Sequence, residues 1–507
     1  MNNRQLLDAI GQVDEDLLER SEQAKNRHHR PRWLGTVAAA LAIVILGGLA
    51  FRPGNQSADF AAPQTAMEEI NMADQAADAP MMEACAVEGT VLPLASPLYP
   101  DRVSYPKSTD KDFEAAYDLW REDLKNNIHL DSQAAASMEA YFRSSIRAFL
   151  HGDPGENRVC SPLNVYMALG MLAQVTDGNS RQQILDALGE SSMEDLQNRA
   201  GAVWNASYRN DGVTNCLLAN SLWLREDMSC NPETLNQLQN RFYASAFSGT
   251  MGSGEMNQAL RDWLNAQTDG KLEGQLQDVE LDPMTVLALA STVSYEAKWQ
   301  NAFAVERTTE GIFHGAPGEE LVQYMHSDTT NTYYWGEDFS AVGLAMANYG
   351  GQLWLVLPDE GISPEALLEQ EQVMDFLITG SDWENQKTLI VELTMPKFDI
   401  SASLDLRNAL RELNITDVFD PEISDFSALT TDLDDIYLSQ ARQDVRFIAD
   451  EEGISAVAAT LMTAAGNAMA PEDRVEFTLD RPFLFLLTDS NGPPLFVGIV
   501  NSCQKIR

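Results

Sequence analysis

Histidines, cysteines and paired carboxylates are the side chains from which most enzyme chemistry is built, and this 507-residue chain uses them sparsely. Its six histidines include one adjacent pair, His28 and His29, and none stands in an HExxH or similar metal-ligand array. The five cysteines, Cys85, Cys160, Cys216, Cys230 and Cys503, form no CxxC and no zinc spacing, which leaves them the part of small buried hydrophobes. No metal or cofactor is expected. There is no GxSxG elbow, no P-loop and no GxGxxG after a strand, and the C-terminal half holds only His314 and His326. A Ser-His-Asp triad is set by geometry rather than by order, but nothing in the sequence proposes one. The adjacent acids Asp434/Asp435 and Glu451/Glu452 could serve as general acid and base, although such pairs are ordinarily solvated charge.

The most unusual stretch is one from which charge is missing. GISAVAATLMTAAGNAMAP, residues 453–471, has no charged residue in 19 positions, in a chain whose charged fraction is 22%. It is bounded by Asp450-Glu451-Glu452 and by Glu472-Asp473-Arg474. A flexible surface linker would tolerate charge freely. A segment that must at some stage enter the interior of a sheet would not, because burying an unpaired charge is expensive.

The elements around this stretch are those of a large folded body. Hydrophobic residues make up 44% of the chain, which excludes general disorder, and 34 Lys+Arg against 76 Asp+Glu give a formal charge of −42. That balance argues against nucleic acid as a partner, since phosphate contacts need concentrated basic side chains. GQLWLVLP (351–358), TLIVELTMPKF (388–398) and FLFLLTDSNGPPLFVGIV (483–500) read as strands, the last pair joined by a Ser490-Asn491-Gly492 turn. NQALRDWLNAQ (257–267) reads as an amphipathic helix. Strands and helices mix without regular βαβ alternation, which indicates an α+β class.

The N-terminal part reads differently. WLGTVAAALAIVILGGLAF, residues 33–51, carries no charge over 19 positions, about the length that spans a bilayer core. Lys25, Arg27, Arg30 and Arg32 crowd its N-terminal side, while residues 53–110 hold nine acidic and two basic side chains. The positive-inside rule makes 33–51 a signal-anchor transmembrane helix, with 1–32 cytoplasmic and the remainder outside. Cleavage of the anchor would instead release the chain as a secreted protein. Residues 52–110 are expected to form an acidic Pro/Ala-rich spacer and residues 111–133 a helical lead-in to a domain over 134–507.

That domain resembles the serpin family along its whole length. The resemblance is carried by ENRVCSPLNVYMALGMLAQVTDGNSRQQILDALG (156–189), NSLWLRED (220–227), WLNAQTDGKL (263–272) and YEAKWQNAF (295–303). It continues through MPKFDI (395–400), ITDVFDPEISDFSAL (415–429), DEEGISAVAAT (450–460) and DRPFLFLLTDSNGPPLFVGIV (480–500). The resemblance implies one domain with three β-sheets and eight or nine helices. It also implies a monomer that is not an enzyme but an irreversible suicide inhibitor of serine proteases, trapped as a covalent acyl complex. An exposed reactive-centre loop is the bait, and after cleavage it inserts as a new strand of the main sheet.

Site residues follow from the same resemblance. Glu451, Glu452, Gly453, Ile454, Ser455, Ala456, Val457, Ala458, Ala459 and Thr460 correspond to the loop hinge, with Ile454, Ala456, Ala458, Thr460 and Met462 facing inward after insertion. Every one of these five is small or apolar, as an inhibitory member requires. Lys397 and Glu451 match an acid–base pair at the top of the sheet, and Trp299 an aromatic packed there. Ser161 and Asn220 match polar residues beneath the sheet, while Asn164 and Gln443 replace a family Ser and His, giving a rewired network.

The scissile bond is less determined. Counting from the hinge places it after Asn467, and counting back from Arg481-Pro482-Phe483 places it at Pro471. A bond before Pro471 is disfavoured, which leaves Asn467, Ala468 and Met469, with Met469-Ala470 ahead of Asn467-Ala468. Small apolar residues on both sides suggest elastase-like or subtilisin-like proteases outside the cell, and the anchor-plus-spacer layout suggests a bacterial cell surface. The competing readings are a non-inhibitory serpin acting as a surface binding or scaffolding protein, and a hydrolase.

Overall fold

The structure, a computed structural model, describes residues 39–49, 91–107, 111–454 and 473–503, apart from positions 269, 273, 275, 434 and 491. In chain order the strands are β1 (Ala39–Leu49), β2 (Leu92–Ala95), β3 (Arg158–Cys160), β4 (Arg209–Asn210), β5 (Thr214–Arg225) and β6 (Ala244–Gly249). They continue as β7 (Thr285–Lys298), β8 (Thr309–Gly315), β9 (Gly318–Trp335), β10 (Phe339–Ala345), β11 (Gln352–Pro358) and β12 (Gln386–Pro396). The last six are β13 (Phe398–Asp405), β14 (Ile436–Ala449), β15 (Gly453–Ile454), β16 (Arg474–Thr478), β17 (Phe483–Thr488) and β18 (Pro494–Val500). The helices used below are α1 (Phe113–Asn127), α2 (Ser132–Ser137), α3 (Glu139–Leu150), α4 (Pro162–Val175), α5 (Gly178–Leu188), α6 (Met193–Ser207), α7 (Pro232–Arg241) and α8 (Gly254–Gln267).

The main sheet runs β13-β14-β1-β7-β5-β6-β2, with β15 on β7 and β4 on β5. Its central strand β7, TVLALASTVSYEAK, is buried almost throughout, as expected of a strand covered on both faces. One cover is α8, whose Trp263 and Leu264 pack with Trp223, Phe247 and Ala288 of the sheet. The other is the large core around α4, a helix buried on every side. The Ser-Pro pair sets where α4 starts: Ser161 caps it by accepting from the Asn164 amide, and Pro162 takes the first turn, where an N–H is dispensable.

The second sheet runs β16-β12-β9-β10-β11-β17-β18-β3, with β8 on β9. The resemblance implies three sheets, but the 18-residue β9 pairs β8 through its first part and β10 through its last, so two of them join into one ladder. Among the described residues there are eleven α-helices rather than eight or nine. The excess comes from pieces such as Ser132–Ser137, Pro364–Leu368 and Arg407–Glu412, of five or six residues.

Two N-terminal expectations are not met. Residues 33–51 do not form a helix over 39–49: that part is β1, antiparallel to both β7 and β14. Periodicity cannot separate the two outcomes, since an uncharged run with Ile43, Val44 and Ile45 suits a strand between two open edges as well as a helix in lipid. Among the described residues no helix is long and apolar enough to cross a membrane. The second concerns the acidic spacer, whose last part belongs to the folded body. Val91 is buried, β2 adds an edge to the main sheet beside β6, and Tyr99 packs on Trp204 and Tyr243. The rest of the spacer lies outside the described residues.

Candidate functional site

The chain leaves β14 at Ala449 and turns over the head of the main sheet. There Glu451 is almost wholly buried, and its carboxylate accepts from Lys397 Nζ at 2.8 Å and from Thr308 Oγ1 at 2.8 Å. Burial pushes this carboxyl up, but the hydrogen bonds from Lys397, its own backbone and Thr308 outweigh that and hold it below the usual carboxylate range. Its neighbour Asp450 moves the other way, raised by burial despite an amide bond from Glu452. The Trp299 indole donates to the Asp450 carbonyl at 2.8 Å and meets Phe303 edge-on at 6.0 Å. The Phe303 amide donates to the Glu451 carbonyl at 3.0 Å. The three residues assigned to the top of the sheet, Lys397, Trp299 and Glu451, are therefore brought together.

Immediately after this clamp the hinge joins the sheet. Gly453 pairs with Lys298 and Ile454 with Ala297, antiparallel, as β15. Gly453 has φ +135°, and a Cβ there would stand 2.6 Å from the Ala297 carbonyl oxygen, so glycine is required by both conformation and space. Residues Ser455, Ala456, Val457, Ala458, Ala459 and Thr460, and the bond candidates Asn467, Ala468, Met469 and Ala470, lie outside the described residues. The chain resumes at Asp473, and β16 runs parallel to β12.

Beneath the sheet Ser161, Asn164, Asn220 and Gln443 are all fully buried. Gln443 makes a two-way contact with the Ser161 backbone: its Oε1 accepts from the amide at 3.3 Å and its Nε2 donates to the carbonyl at 3.3 Å. Asn220 donates to the Phe242 carbonyl at 2.6 Å and accepts from Ser291 Oγ at 2.7 Å. Asn164 contributes its backbone amide to Ser161 Oγ, while both polar atoms of its side chain are buried without a partner.

Two contributors escaped sequence reasoning. Thr308 is an ordinary surface-type residue by sequence, and only the fold carries it to Glu451. The strap formed by residues 91–107 and α1 is the other. Trp120 of α1 is buried and donates to Asp211 Oδ2 at 3.1 Å, which also binds Arg209. Arg209 in turn donates to the Tyr349 carbonyl at 2.9 Å. Phe113, Tyr117 and Trp120 recur at helical spacing, but spacing alone does not say what the helix covers.

A mixed sheet whose head carries a clamped acid, followed by a hinge in its ladder and a charge-free loop, defines the serpin class. The profile of the family described as Serpin (serine protease inhibitor) matches residues 142–503, and the chain belongs to that family, whose members are typically protease inhibitors and not enzymes. Among relatives, it is 27% identical over 366 residues to the leukocyte elastase inhibitor of Homo sapiens, covering 70% of this chain and 95% of that one. It is 26% identical over 385 residues to plasminogen activator inhibitor 1 of Bos taurus, covering 72% and 92%. Among solved structures, the native state of the thermophilic serpin tengpin superposes with a TM-score of 0.65 at 25% identity, covering 74% of this chain and 95% of that one. Thyroxine-binding globulin in complex with thyroxine superposes with a TM-score of 0.61 at 21% identity, covering 73% and 100%, a likeness of fold alone.

Proposed function

We propose that this chain is an irreversible suicide inhibitor of extracellular serine proteases of elastase-like or subtilisin-like specificity. The observation that carries this reading is the hinge. The loop starts from a buried clamp on Glu451, has its first two residues already in the β7 ladder, and these two open a run of 19 residues without charge.

In the proposed reaction the protease serine oxygen bonds to the carbonyl carbon of the bait residue, Met469 or Asn467. The C–N bond to Ala470 or Ala468 breaks, and that nitrogen leaves as a new amino terminus carrying the serine proton. Loop insertion before water reaches the ester traps the acyl-enzyme. About 14 inserted residues at roughly 3.3 Å each would carry the tethered protease about 45 Å. The name of the human leukocyte elastase inhibitor accords with the small apolar residues around the bond. We place the inhibitor at a bacterial surface, tethered through 33–51, as a monomer whose partner is the target protease.

Incubating the full chain, inserted in phosphatidylcholine–phosphatidylglycerol vesicles, with elastase-like and subtilisin-like proteases tests the reading. The expected result is an SDS-stable complex and a C-terminal fragment beginning at Ala470 or Ala468. Cleavage without complex would refute inhibition and favour a binding or scaffolding member; hydrolysis of a substrate by this chain alone would favour a hydrolase.

A further inference from the structure

The lane between β7 and β14 is where an inserting bait strand has to go, and in the structure residues 39–49 fill it. The β15 ladder fixes the register of any continuation. Gly453 faces Lys298 and Ile454 faces Ala297. In an antiparallel ladder each further residue steps one place along the partner. Ser455 then reaches Glu296, Ala456 reaches Tyr295 and Thr460 reaches Ser291. Those last places are taken, because Ala39 faces Tyr295 and Ile43 faces Ser291. Glu296 alone separates the end of β15 from the start of β1 in this lane. The bait loop beyond Ser455 and the segment 39–49 therefore claim the same edge of β7, residue for residue.

The walls of the lane supply a second observation. Thr292 Oγ1 and Ser294 Oγ on β7, Asp444 Oδ2 on β14, and both side-chain polar atoms of Asn164 on α4 are buried without a hydrogen-bond partner. Helix α4 packs beneath β1. The sequence of β1, AALAIVILGGL, has no hydrogen-bonding side chain, whereas the bait stretch brings Ser455, Thr460 and Thr463. By the register above, Thr460 of the bait would stand opposite Ser291, while Val457 and Ala459 would stand opposite Ser294 and Thr292.

We propose that residues 39–49 are a removable plug: while they fill the lane the bait cannot insert, and a lipid bilayer that takes up 33–51 clears it. The consequence for protease trapping rests on the inhibitory reading above. The segment has 19 uncharged residues, enough to span a bilayer core, so lipid and the sheet compete for one stretch of chain. Lipid-free protein is then cut as a substrate, because the acyl-enzyme hydrolyses before the lane opens.

The test uses the full chain carrying Ala42→Cys and Thr292→Cys, positions that face each other in the β1–β7 register. Paired positions in an antiparallel ladder are close enough to cross-link. In lipid-free buffer the 42–292 disulfide should form on oxidation, identified by mass spectrometry of the linked peptides. In phosphatidylcholine–phosphatidylglycerol vesicles its yield should fall about tenfold. In parallel, the unsubstituted chain is titrated against a subtilisin-like protease, which keeps the test independent of whether the variant folds. The number of inhibitor molecules consumed per trapped protease should drop about tenfold on adding vesicles. No 42–292 disulfide in lipid-free protein, or trapping that is equally efficient with and without vesicles, overturns the plug. A lipid-sensitive disulfide with no trapped protease in any arm keeps the plug and sinks the inhibitory reading instead.

Discussion

Replacing Lys397 with Met should loosen the hinge by an amount that the clamp geometry sets. Glu451 has a side chain only 9% exposed, and its carboxylate receives Lys397 Nζ at 2.8 Å. At that separation and an effective dielectric near 20, the gross attraction is about 6 kcal/mol. Lys397 remains about a third exposed, so water screening and the lost hydration of Glu451 offset most of this. A net of about 2 kcal/mol is typical of one charge-assisted hydrogen bond to a buried carboxylate. That is a factor of about 30 in a local opening equilibrium. Native-state hydrogen exchange reads it at the Phe303 and Trp299 amides, which donate to the Glu451 and Glu452 carbonyls at 3.0 and 3.4 Å. Both should exchange about 30-fold faster in Lys397→Met, and Glu451→Gln combined with Lys397→Met should add little more. Changes below about threefold in both single variants, or effects that simply add, would refute the reasoning. The pH dependence has a definite sign. Because the Glu451 carboxyl is depressed, its contribution is complete above its unfolded value near 4.3 and is lost as the pH falls through the lower folded value. The gap between the native chain and Lys397→Met should therefore hold from neutral pH to about 4.5 and close below it.

Three further outcomes are expected. Gly453→Val forces a side chain into φ +135° and against the Ala297 carbonyl, at a strain of about 1–3 kcal/mol, so the amides of the β15–β7 pairing should lose about 5- to 150-fold protection in the same exchange experiment. Ala458→Arg places a charge in the series that the proposed insertion would turn inward; with the chain in vesicles, gel analysis should show it cut at an undiminished rate but no longer forming an SDS-stable complex. Trp120→Ala removes a buried indole and its bond to Asp211 at a cost of about 3–5 kcal/mol, and limited proteolysis should then cut between α1 and α2 while the remainder stays intact.

Much of the site was legible because it is written in local sequence. Ser-Pro at 161–162 announces a capped helix, Gly453 sits after an acidic triplet, and the absence of charge over 453–471 is visible without any fold. Lys397 and Trp299 were placed beside Glu451 by resemblance, since no local rule connects positions so far apart. Thr308 could not be found in this way: its hydroxyl matters only because the turn before β8 passes over Glu451. The strap was hidden for a related reason. Leu92, Leu94 and Leu98 remain exposed while Val91, Tyr99 and Tyr105 make the contacts, so the segment has no amphipathic period to betray it. The 33–51 stretch failed differently. Its composition states that it avoids water, and nothing in the composition chooses between a bilayer and the interior of a sheet.

That ambiguity has physical content. Every backbone N–H and C=O removed from water must find a partner, and both homes provide them. In lipid the segment would satisfy itself as a helix; in the lane it is satisfied by β7 on one side and β14 on the other. Water would leave its apolar side chains exposed, and is the one environment its sequence refuses. The bait loop is built for fewer places. Its alanines and glycines make it tolerable in solvent, but it has too little apolar surface to hold a membrane. On the proposed mechanism, two segments without charge share one destination and differ in their second choice. Supplying lipid moves the plug without touching the bait, which makes the bilayer a switch that acts on the sheet and leaves the cleavage site as it was.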